Sequence, residues 1–130
     1  MGDEKKYKSY DLEERLIEFA ILTIKNSESV FSTKAGNHLS EQLVRSGTSP
    51  ALHYGEAQSA ESRKDFIHKL KILLKELRES NNAMKIIKRV PLTKNVDELE
   101  RGLKEVNELI SIFVKSIDTA KRNNENGNKK

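Results

Sequence analysis

A chain of 130 residues is long enough for one domain with its own core, and an aromatic content of 5% without Trp favours aliphatic helix packing over a sheet. The absence of Cys excludes disulfides and thiolate metal sites; no apolar run approaches the roughly 18–20 residues that span a bilayer, and MGDEKKYKSY is no signal peptide, so the expectation is a soluble, cytoplasmic protein without a membrane partner. The net charge of +4 is unevenly spread: Asp11–Phe31 has two basic and five acidic residues (net −3), whereas Glu61–Pro91 has nine basic and four acidic (net +5), which suits an acidic partner.

Residues 1–8 are polar and are expected to be a flexible N-terminus. Asp11, with Glu14 three residues on, marks a helix start. Leu12, Leu16, Phe19, Thr23 and Val30 then follow a near-heptad pattern, widened by Ile17, Ala20 and Ile24. Asn26–Ser29 weakens this helix, and Ser32 or Thr33 can cap the next.

The second helix is expected from about Lys34 to Gln58. Ala35, Leu39 and Leu43 begin its inner face, which then turns small or polar at Gln42, Ser46, Pro50 and His53. Pro50 removes one backbone hydrogen bond and should bend the helix near Ser46. Ser62 with Asp65 resembles the cap of a third helix, whose core stripe is Phe66, Leu70, Leu73, Leu77, Met84 and Ile87. Pro91 ends it.

Asn95 and Glu98 form a capping box for the fourth helix, with acid in the first turn at Asp97, Glu98 and Glu100. Leu99, Leu103, Val106, Ile110, Phe113, Ile117 and Ala120 step by four and three, the seam of bundle packing. Leu109, Ile112 and Val114 lie beside or beyond that seam and leave apolar surface to spare. The pattern predicts an all-α fold, an antiparallel up-down-up-down four-helix bundle over residues 9–122. Residues 123–130, NNENGNKK, read as a disordered polar tail.

Catalytic and metal chemistry find little footing. The histidines are His38, His53 and His68, with Glu56 three residues after His53. Di-metal carboxylate bundles need Glu-x-x-His on two helices, and here the order is reversed and occurs once. Ser46, Thr48 and Ser49 lie near His53, but Ser49 and His53 are simply one turn apart. No glycine-framed serine elbow and no phosphate-cradling glycine loop is present. The expectation is no enzyme, no metal and no cofactor.

The third helix carries more information. At 100° per residue, Lys64, Lys71, Lys75, Arg78, Lys85 and Arg89 fall within a sector of about 80°, away from the core stripe. Glu61, Asp65, Glu76 and Glu79 fall on another flank. Such a face serves as a solvated surface, an intersubunit ion-pair surface or a polyanion-binding surface. No aromatics are interleaved with these charges, so backbone contacts rather than base stacking are expected.

The segments YDLEERLIEFA, QLVRSGTSPA, YGEAQSAES and DFIHKLKI, in this order and spacing, resemble the four-helix bundle proteins associated with intervening sequences of large-subunit ribosomal RNA. The likeness runs from about Tyr10 through the third helix and more weakly through the fourth. Arg45, Ser46, Ser49, Tyr54, Glu56, Ala57 and Ser62 sit where that family's motif has them, while His53 stands where Asn is usual. The resemblance implies a ring-like pentamer and a role in binding RNA or other nucleic acid. Related accessory proteins of diversity-generating retroelements contact nucleic acid and a reverse transcriptase.

The reading is therefore a non-enzymatic, oligomeric bundle that binds RNA or DNA through Lys64, Lys71, Lys75, Arg78 and Lys85. The alternative is a protein-interaction scaffold whose basic face meets an acidic protein partner or a neighbouring subunit. Association is expected to form a closed homo-oligomer, a pentamer, covering Leu109, Ile112 or Val114 and tightening around Ser46–Pro50.

Overall fold

Short polar side chains that accept free backbone amides set three of the four helix starts. The computed structural model describes residues 9–128, with side chains from Asp11 to Asn124. Its helices are α1 (Ser9–Glu28), α2 (Lys34–Gln58), α3 (Arg63–Arg89) and α4 (Val96–Asn128). Thr33 Oγ1 accepts from the Gly36 amide at 3.0 Å, Ser62 Oγ from Asp65 at 3.0 Å, and Asn95 Oδ1 from Glu98 at 3.1 Å. Each such cap contributes about 1 kcal/mol. The Asn95 box is only half built, because the Glu98 carboxylate instead accepts from the Ser29 hydroxyl at 3.3 Å.

All four helices share one core. α1 packs on α2 and α4, and α3 packs on α2 and α4; the backbones of the diagonal pairs stay apart, and their side chains meet inside the core, Asn26 with Met84 and Tyr54 with Phe113. Leu16, Phe19, Leu43, Leu70, Leu73, Leu77, Met84, Val106 and Phe113 are among the fully buried side chains. Burial of each large apolar side chain contributes about 1.5–3 kcal/mol. There is no strand among the described residues, only a single antiparallel bridge between Val30 and Thr93. That bridge ties the α1–α2 and α3–α4 connections together: Phe31 N–H donates to Leu92 at 2.7 Å and Lys94 N–H to Ser29 at 2.8 Å.

Several sequence expectations change in detail. Leu109 is fully buried and belongs to the core, while Ile110 and Ile112 are only half-buried. Leu109 and Ile110 flank the inward direction of α4, and the strict seam assigned the wrong one. Ile67 is buried where Phe66 is half-buried. Ala35 and Gln42 are exposed, and Gly36 takes the inner position instead. α2 passes through Pro50 without interruption. α4 continues to Asn128, so residues 123–128 are helical where a disordered tail was expected. Polar composition limits burial but does not stop an established helix, since propagation is easy after nucleation. The expectations for residues 1–8 and 129–130 lie outside the described residues.

Two glycines set how closely α1 is held. A Cβ on Gly47 would lie 2.4–2.6 Å from three atoms of Thr23, and one on Gly102 would lie 2.5 Å from Asn26 Nδ2 and 2.8 Å from Met84 Sδ. Thr23 and Asn26 are almost completely buried. Asn26 Nδ2 donates to Met84 Sδ at 3.6 Å. Neighbouring backbones therefore approach α1 from both sides over polar side chains.

Two alanine variants should move stability in opposite directions. Gly55 has nothing within 4 Å of an added Cβ, so Gly55→Ala should stabilise the fold by about 0.5–1 kcal/mol through helix propensity. Gly47→Ala meets Thr23 head-on and should destabilise by about 1–3 kcal/mol despite the same propensity gain. Urea denaturation of both variants measures the contrast.

Candidate nucleic-acid interface

A helix that buries one face of itself against two neighbours must present the opposite face to solvent, and on α3 that face is basic. Lys64, Lys71, Lys75, Arg78, Lys85 and Arg89 are all exposed. None forms an ion pair with a described residue, whereas Lys69 pairs with Asp65 at 3.4 Å and Lys88 with Glu100 at 2.6 Å. The acids on the other flank of α3 are engaged from α2: Arg45 reaches Glu76 at 3.5 Å and Glu79 at 3.1 Å. These exposed pairs contribute little stability. Their effect here is on the field, since they neutralise acids that could otherwise have offset the stripe.

The centre of the stripe is concave. Lys71, Leu74, Lys75, Arg78, Glu79 and Asn82 line a shallow groove of about 320 Å³. Leu74 is half-buried and packs on the core, so cations stand around an apolar floor. With 27 residues in α3, the helix is about 40 Å long at 1.5 Å per residue. Phosphates are the natural complement of such a row, because each contact releases condensed counterions.

The motif residues of α2 occupy structural positions. Ser46 is 1% exposed; it donates to the Gln42 carbonyl at 2.9 Å and accepts from Ser80 at 3.0 Å. The Ser49 hydroxyl donates to the Arg45 carbonyl at 2.9 Å, and half-buried His53 stands 3.6 Å from exposed Glu56. Serine and histidine are therefore not coupled as nucleophile and base. Tyr54 is buried, with its ring edge-on to Phe113 at 5.8 Å and 73°. Buried Ala57 packs in the core, and Ser62 caps α3. No group of three or more His, Asp or Glu able to hold a metal occurs among the described residues.

The sequence reading passed over one surface. Ile17, Ile21 and Ile24 on α1 are 39%, 41% and 39% exposed. Their spacing of four and three places them together on the outer side of the helix. In the sequence pattern Ile17 and Ile24 widen the buried stripe and Ile21 is unassigned, and only the position of the neighbours reveals a second stripe. Glu13, Glu14, Glu18 and Glu28 accompany them on α1 without an ion pair among the described residues. No described helix is long and apolar enough to cross a membrane.

The sequence matches the family model described as 23S rRNA-intervening sequence protein over residues 8–114. The fold is similar to the crystal structure of a protein of unknown function from the S23 ribosomal protein family of Bacteroides thetaiotaomicron. The two share 28% identity, the alignment covers 81% of this chain and 96% of that one, and the TM-score is 0.72. No curated protein matches this chain.

The buried serine pair makes the motif testable. Ser46→Leu forces volume into the α2–α3 contact and leaves the Ser80 hydroxyl without its side-chain neighbour; it should destabilise by about 1–3 kcal/mol. Ser49→Ala should stay within about 0.5 kcal/mol of the parent. Thermal melts compare them directly.

Proposed function

This chain belongs to the 23S rRNA-intervening sequence protein family, and from that premise we propose a non-enzymatic bundle that binds RNA or DNA through the exposed face of α3. The observation that carries the reading is the row of six exposed cations on α3, none in an ion pair among the described residues, of which Lys71, Lys75 and Arg78 line the Leu74 groove, while Glu76 and Glu79 pair with Arg45. Lys64, Lys71, Lys75, Arg78 and Lys85 are the contact residues. Binding is through phosphates, weak in sequence preference and steep in salt. The protein acts in the cytoplasm and needs no cofactor.

The helices alternate in direction, as an up-down-up-down bundle. Arg15, early in α1, meets Glu105 at 2.7 Å and also pairs with Glu108, while Ser29 just beyond α1 meets Glu98 in the first turn of α4. This course brings α1 and α3 to opposite corners with their backbones apart, although Asn26 and Met84 meet inside the core.

The isoleucine ridge of α1 supports a homo-oligomer, read as a closed pentamer. The association surface lies there rather than on Leu109, which the chain buries in its own core. An interface on α1 leaves the α3 face open at the opposite corner and repeats it around the ring, so weak contacts add by avidity. The second reading is an interaction scaffold whose basic α3 face meets an acidic protein partner or a neighbouring subunit.

Two measurements test the proposal. With five cations engaged, the slope of log Kobs against log salt should be about −3.5 on a single strand. Changing Lys71, Lys75 and Arg78 together to Glu should abolish binding without unfolding the bundle. Unchanged binding in that variant would give the scaffold reading the lead. Light scattering should show a mass several times 14.8 kDa, and Ile21→Lys should reduce it to the monomer. A monomeric parent at micromolar concentration contradicts the ring.

A further inference from the structure

The connection between α1 and α2 holds a ring that the basic face does not account for. Phe31 is 42% exposed, yet its backbone is held on both sides. Its amide donates to the Leu92 carbonyl at 2.7 Å, and its carbonyl accepts from the Thr33 amide at 2.9 Å. Gly36 lies so close that a Cβ there would sit 2.1 Å from that carbonyl oxygen. The ring is thus presented to solvent from a fixed backbone, and an aromatic that is already ordered loses little entropy when it meets a flat ligand.

The charges around it are the second observation. Lys94 Nζ lies over one face of the ring, 5.9 Å from its centroid. Lys94 belongs to the connection that leaves α3 directly after Arg89, so Lys85, Arg89 and Lys94 lead in chain order from the end of the stripe to the ring. Acids are present at this end as well. Glu98 accepts from Ser29 at 3.3 Å and Glu100 pairs with Lys88 at 2.6 Å, while Glu28 and Asp97 are exposed. Two of the four are therefore already engaged.

We propose that Phe31 is a base-stacking platform at the end of the basic face, which gives the protein a preference for single-stranded over double-stranded nucleic acid. This rests on the nucleic-acid reading of α3 and adds the class of strand to it. In a duplex the base faces are hidden by stacking, so only an unpaired base can lie on the ring, while both forms offer phosphates to the lysines. No aromatic is interleaved with the cations of α3 itself. Phe31 lies 33 residues before Lys64 in sequence, and only the bridge between the two connections brings it beside Lys94.

The test is fluorescence anisotropy at low salt with a short oligoadenylate, free or annealed to oligouridylate. The parent should bind the single strand more tightly than the duplex. Phe31→Ala should weaken the single strand about tenfold and leave the duplex unchanged, and Phe31→Tyr should behave as the parent. A fluorescent adenine analogue in the strand should be quenched by the parent and by Phe31→Tyr, but not by Phe31→Ala. Because the ring is exposed, circular dichroism melts of the variants should match the parent's. Equal weakening of strand and duplex, or no weakening in Phe31→Ala, overturns the stacking role and leaves the basic face standing. A parent that binds neither form overturns both readings.

Discussion

The fold depends on how closely α1 can be held between α2 and α4. Gly47 and Gly102 remove the two side chains that would stand in the way, and Thr23 and Asn26 fill the space from α1. Close approach brings backbone against side chain over polar atoms, so buried hydroxyl and amide donors need acceptors inside the bundle. Thr23 donates to the Ala20 carbonyl at 2.8 Å, and Asn26 to Met84 at 3.6 Å. The same device recurs between α2 and α3, where Ser46 donates to the Gln42 carbonyl and the Ser80 hydroxyl lies 3.0 Å from both Ser46 Oγ and the Glu76 carbonyl. Glycine and serine in helix interiors lower propensity, and here packing distance is what they supply in return.

That constraint organises the surface as well. Because α1 sits deep between its neighbours and α3 lies at the other corner, two outer faces are left with different chemistry. The α1 face is apolar with carboxylates beside it, and the α3 face is cationic around a half-buried leucine. Opposite corners of one bundle can take different partners without competing for space. Arg45 contributes at a distance by engaging Glu76 and Glu79, which leaves the positive potential of the stripe less opposed.

The joined connections at one end of the bundle have a further effect. Hydrogen bonds between Phe31 and Leu92, and between Lys94 and Ser29, turn two separate loops into one small rigid cap. A loop tip otherwise tends to be mobile. Here the cap fixes one aromatic and one cation with respect to the last turn of α3.

Much of this was legible in the chain itself. Periodicity of apolar residues located all four helices, and Ser32 or Thr33, Ser62 and Asn95 marked three of their starts, because capping and amphipathicity are local properties carried by a few neighbouring residues. The segregation of Lys71, Lys75 and Arg78 from Glu76 and Glu79 was equally local, being a matter of angle around one helix axis. What needed the tertiary structure were choices between faces. Leu109 and Ile110 are both apolar and adjacent, and only the positions of α1 and α3 decide which is buried. Ile17, Ile21 and Ile24 look like core until the neighbours of α1 are seen on its other side. Helical register placed Ser46 on the inner face of α2, but that it meets Ser80 of α3, while Ser49 bonds its own helix, came from the tertiary structure. Phe31 became part of the cationic end through a contact between residues some sixty positions apart, a pairing that no local pattern encodes because it depends on how two connections meet.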